Sequence, residues 1–249
     1  MTELKLDSFD EGLNVAVIGA SGAIGKAMVQ WLEQVPTVNR IYALSRSEPD
    51  VDRMNKTDFH YMDLLDENSI AAGAEQITEP LDLVLITTGI LHEGEGLKPE
   101  KCIKDFQPEH FARIFAINTT GPAMVAKYFL PRMARNRKNM FAVLSGRVGS
   151  ISDNQLGGWY AYRASKAALN MIIKNLAIEI ARKNKSSIIV GLHPGTVDSH
   201  LSMPFQSGVP EGKLFTADYA AEQLLNVMDQ LTPQDSGHMF AWDGEKLPF

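Results

Sequence analysis

A chain of 249 residues, 45% hydrophobic and 22% charged, carries enough apolar material for one large core, and α/β chains of this size commonly stay undivided. Its net charge of −6 argues against nucleic acid or an anionic membrane surface as the main partner. No run approaches the roughly 18 apolar residues of a membrane span. The acidic start Met-Thr-Glu-Leu-Lys-Leu-Asp-Ser-Phe-Asp-Glu lacks the apolar stretch of a signal peptide, so a cytoplasmic location is expected. The single cysteine, Cys102, excludes an internal disulfide and has no histidine or cysteine at metal-ligand spacing, so no metal is expected.

The first element is Leu13-Asn14-Val15-Ala16-Val17-Ile18, a nearly continuous apolar run of the kind found in strands buried on both faces of a parallel sheet. It leads into Gly19-Ala20-Ser21-Gly22-Ala23-Ile24-Gly25, after which Lys26-Ala27-Met28-Val29-Gln30-Trp31-Leu32 has helical periodicity. Strand, glycine-rich turn and helix form the context of a dinucleotide fingerprint. Glycines let the backbone approach a pyrophosphate, and the amides and dipole of the helix N-terminus receive its charge. The cofactor contacts assigned to this turn are Gly19, Ser21, Gly22, Ile24 and Gly25. Further strands are expected at 40–45, 59–62, 81–87, 140–145, 188–192 and 239–242, with helical stretches between most of them. This alternation predicts an α/β fold: a Rossmann-type doubly wound parallel sheet of about seven strands with helices on both faces, its ligands at the carboxyl ends of the strands. The polar stretches 45–58 and 92–108 are loop-sized, and there is no repeat or linker, so residues 1–249 are expected to form one domain.

Later in the chain, Asn118 lies four residues before Pro122. In a single helix over about 108–133 the proline would deprive the Asn118 carbonyl of its partner and kink the helix; alternatively, Gly121-Pro122 separates two helices. Tyr162 and Lys166 then bound the run Tyr162-Arg163-Ala164-Ser165-Lys166. On a helix, four positions put the two α-carbons roughly 6 Å apart on one face. A cation beside a phenol favours the phenolate, drawing its pKa down from near 10, which suits proton transfer to and from a carbonyl oxygen. The helix over about 162–182 has Leu169, Met171, Ile172, Ile173, Leu176, Ile178 and Ile180 spread around it, and so requires cover on several sides, from the monomer core or from a dimer interface.

Together the glycine turn and the Tyr-Lys pair resemble the short-chain dehydrogenase/reductase family over nearly the whole chain. The segments Ser145-Gly146-Arg147-Val148-Gly149-Ser150-Ile151 and Gly157-Gly158-Trp159-Tyr160-Ala161-Tyr162-Arg163-Ala164-Ser165-Lys166 are similar to the subgroup containing C-factor and the sniffer-type carbonyl reductases. This resemblance implies a catalytic set of Asn118, Ser145, Tyr162 and Lys166, in which Tyr162 and Lys166 also hold the nicotinamide ribose. The Asn118 carbonyl would hold a relay water. Ser145 precedes Tyr162 by 17 residues, longer than the family's usual spacing, and Ser150, at 12, is its rival. By the same match, Asp63 and Leu64 meet the adenine, and Thr88 and Gly89 line the cofactor where the family usually has Asn-Asn-Ala-Gly. Pro194, Val197 and Ser199 orient the nicotinamide carboxamide. Residues 200–215 are expected to form a short, partly apolar substrate lid.

Cofactor choice rests on the end of the second strand, where Ser45-Arg46-Ser47 stands in place of the acidic residue of an NAD site. An arginine fork with a flanking hydroxyl suits a 2′-phosphate. Ser45 and Arg46 therefore predict NADP(H), with NAD(H) the alternative should Glu48 fold back into the site. The expected function is NADP(H)-dependent hydride transfer between the nicotinamide and a small carbonyl or alcohol, by a homodimer or homotetramer. The alternative is a cofactor-binding signalling protein of the C-factor type in which turnover is secondary.

Overall fold

The computed structural model describes residues 4–49, 54–94 and 96–249. The chain begins β1 (Leu13–Ile18), α1 (Ala23–Gln34), β2 (Val38–Ser45), β3 (Thr57–Tyr61), α2 (Glu67–Glu75) and β4 (Leu83–Ile86). It continues α3 (Pro108–Phe115), α4 (Gly121–Phe129), β5 (Asn139–Leu144), α5 (Tyr160–Ala181), β6 (Ser187–His193), β7 (Thr196–Val197) and β8 (Leu214–Phe215). It ends with α6 (Ala217–Gln230), β9 (Met239–Ala241) and β10 (Lys246–Leu247). Within the loop expected at 45–58, residues 50–53 lie outside the described residues, as does Glu95 in the loop expected at 92–108.

One eight-stranded sheet has the order β10-β9-β6-β5-β4-β1-β2-β3. Every pairing in it is parallel except β9 with the short β10. That terminal antiparallel strand is why the sheet has eight strands rather than about seven. A two-residue strand paired only at an edge leaves no periodicity to read.

Every residue of β1 is buried, yet consecutive side chains enter different halves of the core. Leu13, Val15 and Val17 pack with Met28 and Leu32 of α1 and with Leu224 and Met228 of α6. Ala16 and Ile18 pack on the other face with Ile70 of α2, Phe129 of α4, and Leu169 and Ile173 of α5. Helices on both faces explain the continuous apolar strand sequence. On α5, Leu169, Ile173 and Ala177 are buried within the chain, whereas Met171 and Ile178 are exposed.

From β1 the chain builds outward through β2 to β3, then returns to lay β4 on the other side of β1 and build through β5 to β6. The strand order reverses between β1 and β4, and a crevice opens there beyond the carboxyl ends.

The helix around Asn118 has a local form that neither expectation named. Residues Ala116–Thr120 form a π-helical turn joining α3 to α4, in which the Gly121 N–H bonds the Ala116 carbonyl. Pro122 then occupies the first turn of α4, where it offers no N–H to the carbonyls of the π-helical turn before it. The wide turn thus joins α3 to α4 just before the proline.

Candidate active site

The crevice begins with the turn after β1. Gly19 has φ +87°, and a Cβ built there would lie 2.7 Å from Thr88 Cγ2 and 2.8 Å from Thr87 Oγ1. At Gly25, in the first turn of α1, an added Cβ would lie 2.2 Å from the Gly19 carbonyl oxygen. Thr87 closes the turn from the β4 side by donating to the Ile18 carbonyl at 2.8 Å. The outcome is a helix N-terminus facing open space, since Gly22 at the cap of α1 receives no side-chain cap. Ala23 begins α1 with ordinary helical backbone, so its methyl group is tolerated.

A groove of about 260 Å³ lies over this turn. It is lined by Gly19, Ser21, Gly22, Ser45, Arg46, Asp63, Leu64, Thr88 and Gly89 from the sequence-predicted set. Arg46 is exposed at its mouth. Ser45 is buried and its hydroxyl is turned onto the Ser47 carbonyl, so it braces the loop that carries Arg46. Asp63 is held by its own turn, its N–H donating to Ser69 Oγ at 2.9 Å and its carboxylate accepting from Leu65 N–H at 3.0 Å. The Thr88 hydroxyl is buried without a hydrogen-bond partner. Thr88 itself lines the groove, where a polar ligand would be within reach of that unsatisfied residue.

Two residues of the groove were missed in the sequence. Glu93 and Arg113 form a bidentate ion pair on its wall, at 2.9 and 2.8 Å. Arg113 holds the Glu93 carboxyl below the usual carboxylate range, with Arg46 adding to the effect. Sitting 20 positions apart, one on an irregular loop and one on α3, they share no pattern that could have announced the pair.

The remaining predicted residues lie elsewhere. Ile24 and Gly25 are within α1, behind the groove lining. Pro194, Val197 and Ser199 belong to a separate ribbon: β7 pairs with β8, and the Ser199 hydroxyl donates to the Val197 carbonyl at 3.2 Å. Between β7 and β8 the predicted lid contains a 3-10 helix, Met203–Gly208.

Asn118, Ser145, Tyr162 and Lys166 meet beyond the far end of the groove. Gly89 makes the junction: a Cβ there would sit 3.6 Å from Lys166 Nζ and 3.5 Å from Asn118 Oδ1. Asn118 is fully buried. Its side chain accepts from Ile90 N–H at 2.8 Å, and its Nδ2 donates to the Ile90 carbonyl at 2.9 Å and to Ser165 Oγ at 3.2 Å. The π-helical turn thus pins the loop after β4 to α5. Lys166 is 3% exposed, and its ammonium donates to the Leu144 carbonyl at 2.9 Å, next to Ser145. The Ser145 hydroxyl donates to Asn170 Oδ1 at 2.7 Å. The Ser150 hydroxyl accepts from Asp153 N–H at 3.2 Å within its own turn. Asn170 was not singled out, although it continues the four-residue spacing of Tyr162 and Lys166 along one face of α5.

Electrostatics correct the sequence expectation for the phenol. Burial pushes Tyr162 up to about 12 and Lys166 down to about 8. Lys166 Nζ stands 5.9 Å from the centre of the Tyr162 ring. In this enclosed geometry the loss of water outweighs the attraction between the two groups. The phenol is protonated at neutral pH, and the ammonium is still largely charged there. Enclosure likewise lowers His193 to about 4, leaving it neutral.

The family model for short chain dehydrogenases matches residues 13–209, and the chain belongs to that family of oxidoreductases. It is 32% identical over 172 residues to C-signal of Myxococcus xanthus, covering 69% of this chain and 95% of that protein. It is 31% identical over 189 residues to 1-hydroxy-2-glutathionyl-2-methyl-3-butene dehydrogenase of Rhodococcus sp. (strain AD45), covering 75% and 77%. The NADPH-bound carbonyl reductase from chicken fatty liver shares the fold with a TM-score of 0.79 at 22% identity, over 97% of this chain and 96% of that one. The carbonyl reductase Sniffer of D. melanogaster does so with a TM-score of 0.78 at 19% identity, over 96% and 100%. Among the described residues no helix is long and apolar enough to cross a membrane.

Proposed function

We propose that this protein is an NADP(H)-dependent oxidoreductase that interconverts a carbonyl compound and its alcohol. The observation that carries this is the junction at Gly89, where the glycine-lined groove reaches the buried Lys166 ammonium and the Asn118 side chain. A pure binding protein has no need of a buried ammonium and a phenol at the end of its groove. In this reading the turn of Gly19, Ser21, Gly22, Ile24 and Gly25 receives the pyrophosphate at the N-terminus of α1. Arg46, braced by Ser45, takes a 2′-phosphate, Asp63 and Leu64 take the adenine, and Thr88 and Gly89 line the path to the ribose. Pro194, Val197 and Ser199 face the carboxamide.

The nicotinamide, when bound, supplies or accepts the hydride. Tyr162 provides the proton to the substrate oxygen, a role open to a phenol that is fully protonated at neutral pH. Lys166 stabilises the phenolate left behind, because a cation one helical turn away is the nearest charge of opposite sign. Ser145 donates its hydroxyl to the same oxygen by exchanging its bond to Asn170. Asn118 keeps the loop after β4 against α5 and extends the proton path to water.

Likeness to the fatty-liver carbonyl reductase, whose described form binds NADPH, supports the choice of cofactor. Likeness to C-signal keeps a second reading, a cofactor-binding signalling protein in which turnover is secondary. Initial rates of NADPH and NADH oxidation with a panel of aldehydes, ketones and quinones test these readings. Carbonyl-dependent oxidation with a lower KM for NADPH is expected. A preference for NADH would overturn the role of Arg46, and the absence of carbonyl-dependent turnover would leave the second reading. The exposed Met171 and Ile178 on α5 support a homodimer or homotetramer, to be checked by light scattering.

A further inference from the structure

A chain of ring contacts leads away from Tyr162 through three separated segments, each of which brings aromatic rings. Ring contacts run from Tyr162 to Trp159 at 6.3 Å between centroids, and from Trp159 to Phe205 at 5.0 Å. They continue from Phe205 to His92 at 5.9 Å and from His92 to His200 at 5.1 Å. Trp159 precedes α5, Phe205 belongs to the 3-10 helix of the lid, and His92 lies in the loop after β4. His92 Nε2 lies 2.9 Å from the His200 carbonyl, and since a carbonyl can only accept, the ring donates and ties that loop to the lid.

Trp159 occupies its place against local preference. It caps α5 with φ +50° and ψ +44°, a left-handed backbone that a bulky residue rarely adopts. An indole also offers nothing to the free amides of a helix start, where Ser, Thr, Asp or Asn is usual, and no side-chain cap forms. The capping falls instead to Glu100, which is 2% exposed and accepts Ala161 N–H at 3.1 Å through its carboxylate. The Glu100 carbonyl also accepts Trp159 N–H at 2.6 Å, fixing the strained residue. Gly157 and Gly158, both with positive φ, deliver the chain into that conformation. Backbone strain held by a buried residue, at a position whose side chain packs edge-on with the Tyr162 ring, points to a functional residue.

We propose that Trp159 is the specificity-determining platform of the active site, recognising the flat ring of an aryl ketone or aryl aldehyde. This rests on the reading of the protein as a carbonyl reductase and names its substrate class. At 5.0 Å and an angle of 57°, the Trp159 and Phe205 rings leave no gap for a third ring between them. The aryl group therefore takes Phe205's place on the indole as the lid moves aside, and its attached carbonyl lies within reach of the phenol.

The test compares acetophenone, cyclohexyl methyl ketone and butanone as substrates with NADPH, in wild type, Trp159→Phe and Trp159→Ala. Wild type should favour acetophenone over cyclohexyl methyl ketone. Trp159→Ala should lose on the order of tenfold or more in kcat/KM for acetophenone, mainly through KM, and lose clearly less for butanone. Trp159→Phe should keep most of the preference. Equal losses for all three ketones would assign Trp159 a structural role and overturn the proposal, as would equal use of the aryl and cyclohexyl ketones by wild type. If wild type oxidises no NADPH with any ketone, the carbonyl-reductase reading fails, and saturation-transfer NMR of acetophenone with the NADPH-loaded protein judges the platform separately. Signal lost in Trp159→Ala supports it, and signal unchanged overturns it.

Discussion

The two ends of the cleft are built by opposite means. At the β1–β4 crevice, space exists because side chains are absent: at Gly19, Gly25 and Gly89 an added Cβ would fall between 2.2 and 3.6 Å from a neighbouring atom. At α5 the site is instead filled with buried polar groups, each held by another. Lys166 bonds the Leu144 carbonyl, Ser145 bonds Asn170, and Asn118 bonds Ile90 and Ser165. An end made by omission presents backbone, which suits a ligand shared by many reactions. An end made by buried side chains sets protonation states, which suits chemistry. Perturbing the first should cost binding and perturbing the second should cost turnover.

The largest effect should come from Tyr162→Phe, which keeps the ring and removes the proposed acid. Turnover should drop by on the order of 10² or more while NADPH affinity measured by fluorescence stays within a few-fold. A variant that retains most of its activity would remove the phenol from the mechanism. Gly25→Ala should act the other way round. Its methyl group meets the Gly19 carbonyl, so α1 must shift, with at least about tenfold weaker NADPH binding and a lower Tm. Normal NADPH affinity in a folded Gly25→Ala protein would contradict the crevice as the nucleotide site.

Lys166→Met sharpens the contrast, because it should abolish turnover and yet stabilise the protein without ligand. The Lys166 pKa falls from 10.5 to about 8 on folding, so the unfolded chain binds the extra proton between those values. The penalty of the buried ammonium is therefore fully present below about pH 8 and is relieved as pH rises toward 10.5. The difference corresponds to on the order of 3 kcal/mol, or roughly 6–12 °C in Tm, at neutral pH. Thermal scans of wild type and variant should converge as pH rises toward 10.5. An unchanged or lower Tm for Lys166→Met at pH 7 would show that the bond to Leu144 outweighs desolvation.

Smaller effects should separate neighbours. Arg46→Ala should raise KM for NADPH about tenfold and leave that for NADH little changed, since a fork at the groove mouth acts only on the 2′-phosphate. Ser145→Ala should lower turnover by at least tenfold, whereas Ser150→Ala should lower it little, because the Ser150 hydroxyl is engaged in its own turn. The reverse order would exchange their roles.

Local rules made much of this protein legible from its chain. The strand-turn-helix of residues 13–32 needs only apolar continuity, glycine and helical periodicity, all of which act over a few residues. The same range of interaction places Tyr162, Lys166 and Asn170 on one face of α5. The features left to tertiary structure all depend on groups far apart in sequence meeting out of water. The π-helical turn under Pro122 is one, set by packing against α5 through Asn118 and Thr119. The Glu93–Arg113 pair, the capping of α5 by Glu100 and the short edge strand β10 are others. The clearest case is the phenol itself. Spacing along the helix set which cation would stand beside it and argued for a lowered pKa, but the depth of burial moved it to about 12, because desolvation depends on every chain segment that covers the group.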